Sequence, residues 1–154
     1  MDRRQLQDAG LFLIRAMVGV VFVFHGAQKL FGVWGGAGLE GFTAFLTQIQ
    51  VPMPALSAVL AGVAEFGGGL LLIAGLATRL AAVPLVITMV VAAFHVHGKA
   101  FALPTGMEYA LTLGVVTLGV ALTGPGGLSL DALLGRRLAP ALAPKAASPR
   151  AVPQ

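Results

Sequence analysis

Four long apolar blocks divide this chain, and each is close to the length that an α-helix needs to cross a bilayer. Such a helix requires about 20 consecutive apolar residues. The blocks cover about residues 11–31, 54–76, 80–97 and 107–123. Turn-forming residues end several of them, most clearly the run Gly124-Pro125-Gly126-Gly127 after the last block. The pattern predicts four transmembrane helices.

A shorter segment between the first two blocks has a different pattern. Leu39, Phe42, Phe45, Leu46 and Ile49 recur at helical spacing, with polar residues between them. This segment is too short to cross the hydrocarbon core, so we expect an amphipathic helix at the membrane interface. The predicted fold class is therefore all-α: an integral membrane four-helix bundle with a short amphipathic interfacial helix between the first and second spans.

The two ends of the chain flank a predicted transmembrane domain of residues 11–135. Residues 1–10 contain early arginines, as a signal peptide does, but the apolar block that follows is too long and lacks a small-residue cleavage pattern. We therefore expect the first helix to be retained. Ser129 is suited to cap a short surface helix through Leu134. Residues 136–154 are rich in alanine and proline without apolar periodicity, which predicts a disordered tail.

Composition and charge support a membrane protein and exclude other classes. Hydrophobic residues make up 57% of the chain and charged residues only 10%, whereas soluble domains carry about 25% charged residues. The lipid bilayer is therefore the expected partner. The net charge is +4, but the basic residues are scattered and accompanied by one tryptophan and one tyrosine, so a nucleic-acid partner is not expected. The absence of cysteine excludes a disulfide framework and thiolate chemistry within this chain.

The distribution of lysine and arginine predicts the orientation of the bundle. With the N-terminus inside, eight of the ten basic residues lie on or near the cytoplasmic side, and only Lys29 and Lys99 lie outside. The eight are Arg3, Arg4, Arg15, Arg79, Arg136, Arg137, Lys145 and Arg150. We therefore expect a cytoplasmic N-terminus and a cytoplasmic tail.

Glu65 lies about halfway along the second block, near the expected bilayer midplane. An ionised carboxylate at this depth is costly unless it is paired or protonated, so its side chain should face the bundle interior. One interpretation is structural, as an ion pair or hydrogen bond between helices. The other is functional, as an acid that carries a proton or binds a ligand, which makes Glu65 a candidate catalytic residue.

Further polar residues are expected near Glu65, in the outer third of the bundle. His25, Gln28 and Lys29 share one face of the first helix because they are spaced i, i+3, i+4. His25 is the second candidate catalytic residue, and Gln28 and Lys29 are candidate ligand-binding residues, although a lysine here can simply extend to the lipid headgroups. On the third helix, His95 and Lys99 should point the same way, with His97 about 200° from His95.

Glu108 begins the fourth helix at the same level, and with His95 it completes the set of candidate ligand-binding residues. A metal is not expected, because no histidine or carboxylate pair has the usual ligand spacing and two lysines are poor neighbours for a cation. A quinone fits better, since its carbonyl could accept from His25 or Lys29 while its tail lies between helices. Glu65 could then exchange a proton with it. No covalent cofactor is expected.

Four motifs in this order resemble the DoxX family of small bacterial membrane proteins. They are His25-Gly26-Ala27-Gln28-Lys29-Leu30-Phe31, Ala64-Glu65-Phe66-Gly67-Gly68-Gly69, Gly75-Leu76-Ala77-Thr78-Arg79-Leu80-Ala81-Ala82 and Gly124-Pro125-Gly126-Gly127-Leu128-Ser129-Leu130-Asp131. The resemblance covers about residues 11–135. It implies four transmembrane helices in a bacterial inner membrane, with His25, Lys29, Glu65 and Arg79 at the family's recurring polar positions.

The function that the resemblance implies is a membrane subunit of a redox complex, since the family is named for a subunit linked to thiosulfate:quinone oxidoreductase. Such a subunit would need a soluble or membrane redox partner. A second alternative is a non-catalytic scaffold that recruits soluble redox or oxidative-stress enzymes. A small transporter or proton pathway ranks third, because a single four-helix unit without internal repeats is small for alternating access unless it forms a homo-oligomer.

Overall fold

The computed structural model describes residues 2–102 and 106–142, and this part of the chain is helical and without strands. The helices are α1 (Arg3–Phe31), α2 (Gly38–Gln48), α3 (Pro54–Ala74), α4 (Thr78–Val91), α5 (Glu108–Thr123) and α6 (Leu130–Leu142). A π-helical turn, Ala92–Val96, continues α4.

Three of these helical segments are long and apolar enough to cross a membrane: Arg3–Phe31, Pro54–Ala74 and Thr78–Val96. The fourth, Glu108–Thr123, is apolar but has only 16 residues. Large apolar side chains remain exposed along all four, among them Leu13, Leu60, Ile87 and Leu122. A surface of this kind requires lipid rather than water as its solvent. The predicted all-α membrane helical bundle is confirmed.

The first helix begins earlier than the apolar pattern indicates. Asp2 accepts a hydrogen bond from the backbone N–H of Gln5 at 2.8 Å, and the Gln5 side chain accepts one from the backbone N–H of Asp2 at 3.0 Å. This reciprocal cap satisfies N–H groups that a helix start leaves free. Residues 3–10, expected to precede the transmembrane domain, therefore continue α1.

α1 and α3 pack antiparallel and very closely. A Cβ atom placed on Gly19 would lie 2.7 Å from the carbonyl oxygen of Gly69, and one on Gly69 would lie 2.7 Å from the carbonyl oxygen of Gly19. Small residues allow this approach of two helix backbones within a membrane. α4 packs against α3 and α5, with Leu85 over Gly68 and Met89 against Gly114. α2 covers one end of the bundle and α6 lies at the other.

At the α6 end, Arg15 connects three parts of the chain. Its guanidinium donates to the carbonyl oxygens of Leu72 and Ile73 at 2.6 Å each, to that of Pro125 at 3.2 Å, and to that of Leu128. The first two carbonyls belong to the last turn of α3, where a cation complements the helix dipole. The fully buried Arg15 side chain therefore fastens α1 to α3 and to the segment after α5.

Two carboxylates add to this connection. Asp131 accepts from the backbone N–H groups of Ala77 and Thr78, at 2.9 and 3.3 Å, and Asp8 accepts from that of Gly127 at 2.6 Å. Asp131 thereby caps the start of α4 from a helix more than fifty residues away.

The surface helix after this loop extends further than expected. Ser129 accepts from the backbone N–H of Ala132 at 3.1 Å, as a helix cap does, and α6 reaches Leu142 rather than ending near Leu134. The expectation of disorder from residue 136 is therefore wrong for residues 136–142, which continue the helix that Ser129 caps. The rest of the predicted tail, 143–154, lies outside the described residues.

Candidate functional site

α1 and α3 bring Lys29 and Glu65 into contact at the α2 end of the bundle. The ammonium group of Lys29 forms an ion pair and hydrogen bond with Oε2 of Glu65. The Glu65 side chain is only 1% exposed, whereas that of Lys29 is 25% exposed. Among the described residues, Oε1 of Glu65 has no hydrogen-bond partner. A buried carboxylate oxygen without a donor is costly, so this atom is a strong candidate to bind a ligand.

The cavity on one side of this pair has a volume of about 260 Å³ and is bordered by α2. We call it the α2 chamber. Phe42, Phe45 and Leu46 line it from α2, and the Lys29 ammonium lies 5.4 Å from the centroid of the Phe42 ring. A cation at this distance from an aromatic face is stabilised by the ring. The segment predicted to be an interfacial helix therefore also forms a wall of the site.

A second cavity, of about 140 Å³, lies on the α5 side of the pair. This α5 chamber contains His25 and Tyr109, whose Nε2 and hydroxyl oxygen are 3.4 Å apart. Lys29 and Glu65 line both chambers. The ion pair is therefore part of the wall between an apolar chamber and one that contains further proton-carrying groups.

The third span ends beside this site in a π-helical turn that includes one of its two histidines and is followed by the other. The backbone N–H of His97 donates to the carbonyl of Ala92 at 3.0 Å, five residues back. His97 lines both chambers, while His95 is exposed, with its Nε2 3.2 Å from the carbonyl oxygen of Ile49. The expected orientations of His95 and His97 are therefore exchanged, because His97 follows the buried Ala93 by one helical turn, whereas His95 lies about 200° from Ala93 around the helix.

The remaining predicted residues lie at the edge of the site. The Gln28 amide donates to the carbonyl of Trp34 at 3.1 Å and so holds the loop after α1. Glu108 begins α5, where its backbone N–H donates to the carbonyl of Phe101 at 3.0 Å, and it lines neither chamber. Of the residues expected to converge, the structure brings together His25, Lys29 and Glu65.

Sequence reasoning missed two residues of the site and one at the opposite end. Tyr109 is the only tyrosine of the chain, and its place at the start of the last apolar block was the available signal. His97 was named but assigned to the wrong face. Arg15 was counted only as a topology signal. Within the described residues, no group of three histidines or carboxylates is placed to hold a metal ion.

The arrangement provides both kinds of hydrogen-bonding group. Glu65 Oε1 is an acceptor, while the Lys29 ammonium and the Tyr109 hydroxyl are donors, and His25 and His97 can act in either role. The apolar walls limit competition from water and strengthen each of these interactions. Such a site suits a small, partly apolar ligand that both donates and accepts hydrogen bonds and exchanges protons.

The family model described as DoxX matches residues 10–98, more than half of the chain. The chain belongs to the DoxX family. The matched region contains His25, Lys29, Glu65 and His97, whereas Tyr109 lies beyond it.

Three relatives of this DoxX protein illustrate the similarity. It is 33% identical over 125 residues to the putative oxidoreductase CatD of Bacillus subtilis, covering 80% of this chain and 86% of the relative. It is 28% identical over 136 residues to the inner membrane protein YqjF of Escherichia coli, covering 87% and 98%. It is 29% identical over 129 residues to the inner membrane protein YphA of the same species, covering 79% and 87%. No solved structure matches the chain.

Proposed function

We propose that this DoxX protein is the membrane subunit of a redox complex in the bacterial inner membrane and that it binds a quinone beside the ion pair of Glu65 and Lys29. The observation that carries the proposal is the buried Oε1 of Glu65, which has no partner and belongs to a residue that lines both chambers. A quinol hydroxyl would supply the donor that this oxygen lacks. The name of the Bacillus subtilis relative supports an oxidoreductase, and those of the Escherichia coli relatives support the inner membrane.

The residues divide the chemistry between them. Interconversion of quinone and quinol moves two electrons and two protons. Glu65 Oε1 would accept or return one of these protons at one ring oxygen, and His97, which lines the same chamber, would accept or return the second at the other ring oxygen. Lys29 neutralises the carboxylate when it is charged. His25 and Tyr109 extend the polar side of the site away from the ion pair. The electrons pass to or from a partner protein, because a chain without cysteine has no thiol couple of its own.

The test is to purify the protein in mild detergent from its own membranes and to extract and quantify the quinone that remains bound. Wild type should retain close to one quinone per chain. Glu65→Gln should retain less than a tenth of this amount while staying folded, because a neutral amide neither exchanges the proton nor forms a charge-assisted hydrogen bond. Glu40→Gln, at an exposed carboxylate on α2, is the matched control and should behave as wild type. A wild-type protein free of quinone would contradict the proposal.

A scaffold that recruits soluble enzymes is the second candidate, and α6 is the observation in its favour. This helix follows the bundle and leaves Leu130, Leu133 and Leu134 more than 40% exposed. Exposed apolar residues on a surface helix are suited to dock a partner. The same purification distinguishes the two functions, since a stoichiometric enzyme without quinone would favour the scaffold.

A further inference from the structure

A groove between α3 and α4 runs along the lipid-facing side of the bundle. Its volume is about 660 Å³, and apolar side chains dominate its walls, among them Met53, Leu60, Ala64, Pro84, Ile87 and Val91. Met53, Leu60, Ile87 and Val91 are themselves exposed, so the groove opens toward the acyl chains of the bilayer. An apolar molecule dissolved in the membrane can therefore reach it without crossing water.

The groove adjoins the α2 chamber. Five residues line both spaces: Val51, Ser57, Ala61, Thr88 and Val91. The two hydroxyl groups at this junction are already used. Ser57 donates to the carbonyl of Pro52 at 2.8 Å, and Thr88 donates to that of Pro84 at 2.9 Å. An apolar chain that crosses this boundary therefore meets no unsatisfied hydroxyl group, and the Ala61 side chain at the boundary is small.

The sizes of the two spaces suit different parts of one molecule. Ligand sites typically enclose roughly 300–1,000 Å³. The α2 chamber, at about 260 Å³, is below this range by itself and holds the charged pair. The groove, at about 660 Å³, is within the range, and the titratable residue of its lining is His95, whose Nε2 lies 3.2 Å from the carbonyl oxygen of Ile49. A ligand that uses both spaces has a small polar head and a long apolar chain.

We propose that the groove between α3 and α4 holds the isoprenoid tail of a membrane quinone whose ring occupies the α2 chamber. This inference rests on the proposed function, because it takes the ring to be held at Glu65 and Lys29. It adds the direction of approach: the quinone enters laterally from the bilayer between α3 and α4, and its tail stays in lipid contact while the ring is bound.

The test uses substitutions that fill the groove but leave the chamber unchanged. Ala64 and Ile87 line the groove and not the α2 chamber, so Ala64→Phe and Ile87→Trp narrow it from α3 and from α4 independently. Ala55→Phe is the matched control, because Ala55 is exposed on α3 and lines neither space. Binding is measured on the purified protein in lipid nanodiscs. The probes are a ubiquinone and a menaquinone, each with two isoprenoid units and with none.

The expected result is that each groove variant weakens binding of the tailed quinones at least tenfold and leaves the tail-free quinones within twofold of wild type. Ala55→Phe should leave both unchanged. If the groove variants bind tailed and tail-free quinones as wild type does, or weaken both equally, the tail does not lie in this groove and the lateral route is wrong, although the ring site stands. If wild type binds none of the four probes, the proposed function itself fails.

Discussion

Lys29 reaches across from α1 to Glu65 on α3, and the two side chains form an ion pair that satisfies only one of the two carboxylate oxygens. The Glu65 side chain is almost completely buried, whereas the Lys29 side chain is 25% exposed. Removing the lysine should therefore do more damage than removing both charges, because it leaves a buried carboxylate without its cation.

The first prediction tests this asymmetry with a double-mutant cycle. Lys29→Met should destabilise the protein by about 3 kcal/mol. This is the lower end of the range for removing one partner of a buried ion pair, because Lys29 is partly exposed. Lys29→Met combined with Glu65→Gln should be more stable than Lys29→Met alone. Unfolding of the variants in detergent gives the coupling free energy. Additive effects of the two substitutions would show that the pair does not stabilise the fold.

The second prediction concerns the two histidines around the π-helical turn. His97→Leu should weaken binding of a tail-free quinone roughly five- to tenfold, the effect of losing one hydrogen bond, because His97 lines both chambers. His95→Leu should leave this affinity within twofold, since His95 contacts the carbonyl of Ile49 outside them. Equilibrium binding in nanodiscs measures both. The opposite ranking would mean that His95, and not His97, faces the bound ring.

The third prediction concerns Arg15 at the α6 end. Arg15→Leu should destabilise the protein by at least about 3 kcal/mol, because four carbonyl groups lose their donor. Arg15→Lys should recover only part of this loss, since an ammonium cannot reproduce the planar fork that reaches several acceptors. The control is Arg4→Leu, at an exposed position of the same helix. Thermal unfolding in detergent measures the stability of each variant. If Arg15→Lys is as stable as wild type, the planar guanidinium is not what holds these carbonyl groups.

The fourth prediction separates two glycines of one motif. Gly69→Ala should cost roughly 1–3 kcal/mol, because the added methyl group would lie 2.7 Å from the carbonyl oxygen of Gly19 and push α1 away from α3. Gly67→Ala adds the same methyl group where no atom lies within 4 Å, so it should be neutral or slightly stabilising. Melting temperatures in one detergent compare the two variants. Equal effects would mean that the close helix contact is absent.

The fifth prediction concerns orientation, and the absence of cysteine in the chain makes it direct to test. Single substitutions Ala37→Cys and Gln7→Cys place one thiol at exposed positions near opposite ends of α1. A membrane-impermeant maleimide should label Ala37→Cys in intact spheroplasts and Gln7→Cys only after permeabilisation, because the arginine-rich end stays inside. The reverse pattern would place Glu65 and Lys29 near the cytoplasmic face.

The sequence alone determined the class of the protein, for a local physical reason. The length and apolarity of each block decide whether it dissolves in lipid as a helix, and neither property depends on what the block contacts. The same reasoning placed Glu65 toward the interior, because its charge is too costly to face acyl chains. The end of α6 was misjudged, since alanine and proline content predicted disorder where the helix continues to Leu142.

Only the tertiary structure decided which groups meet. From spacing, His25 and Lys29 were equal candidates to pair with Glu65, and the close crossing of α1 and α3 selects Lys29. His97 replaces His95 at the site because α4 turns the face with Met89 and Ala93 toward the bundle interior, and His97 lies one turn after Ala93 on that face. Arg15 finds its carbonyl partners more than fifty residues away. Such pairings depend on how helices cross and rotate against one another, which the spacing of residues along one helix does not determine.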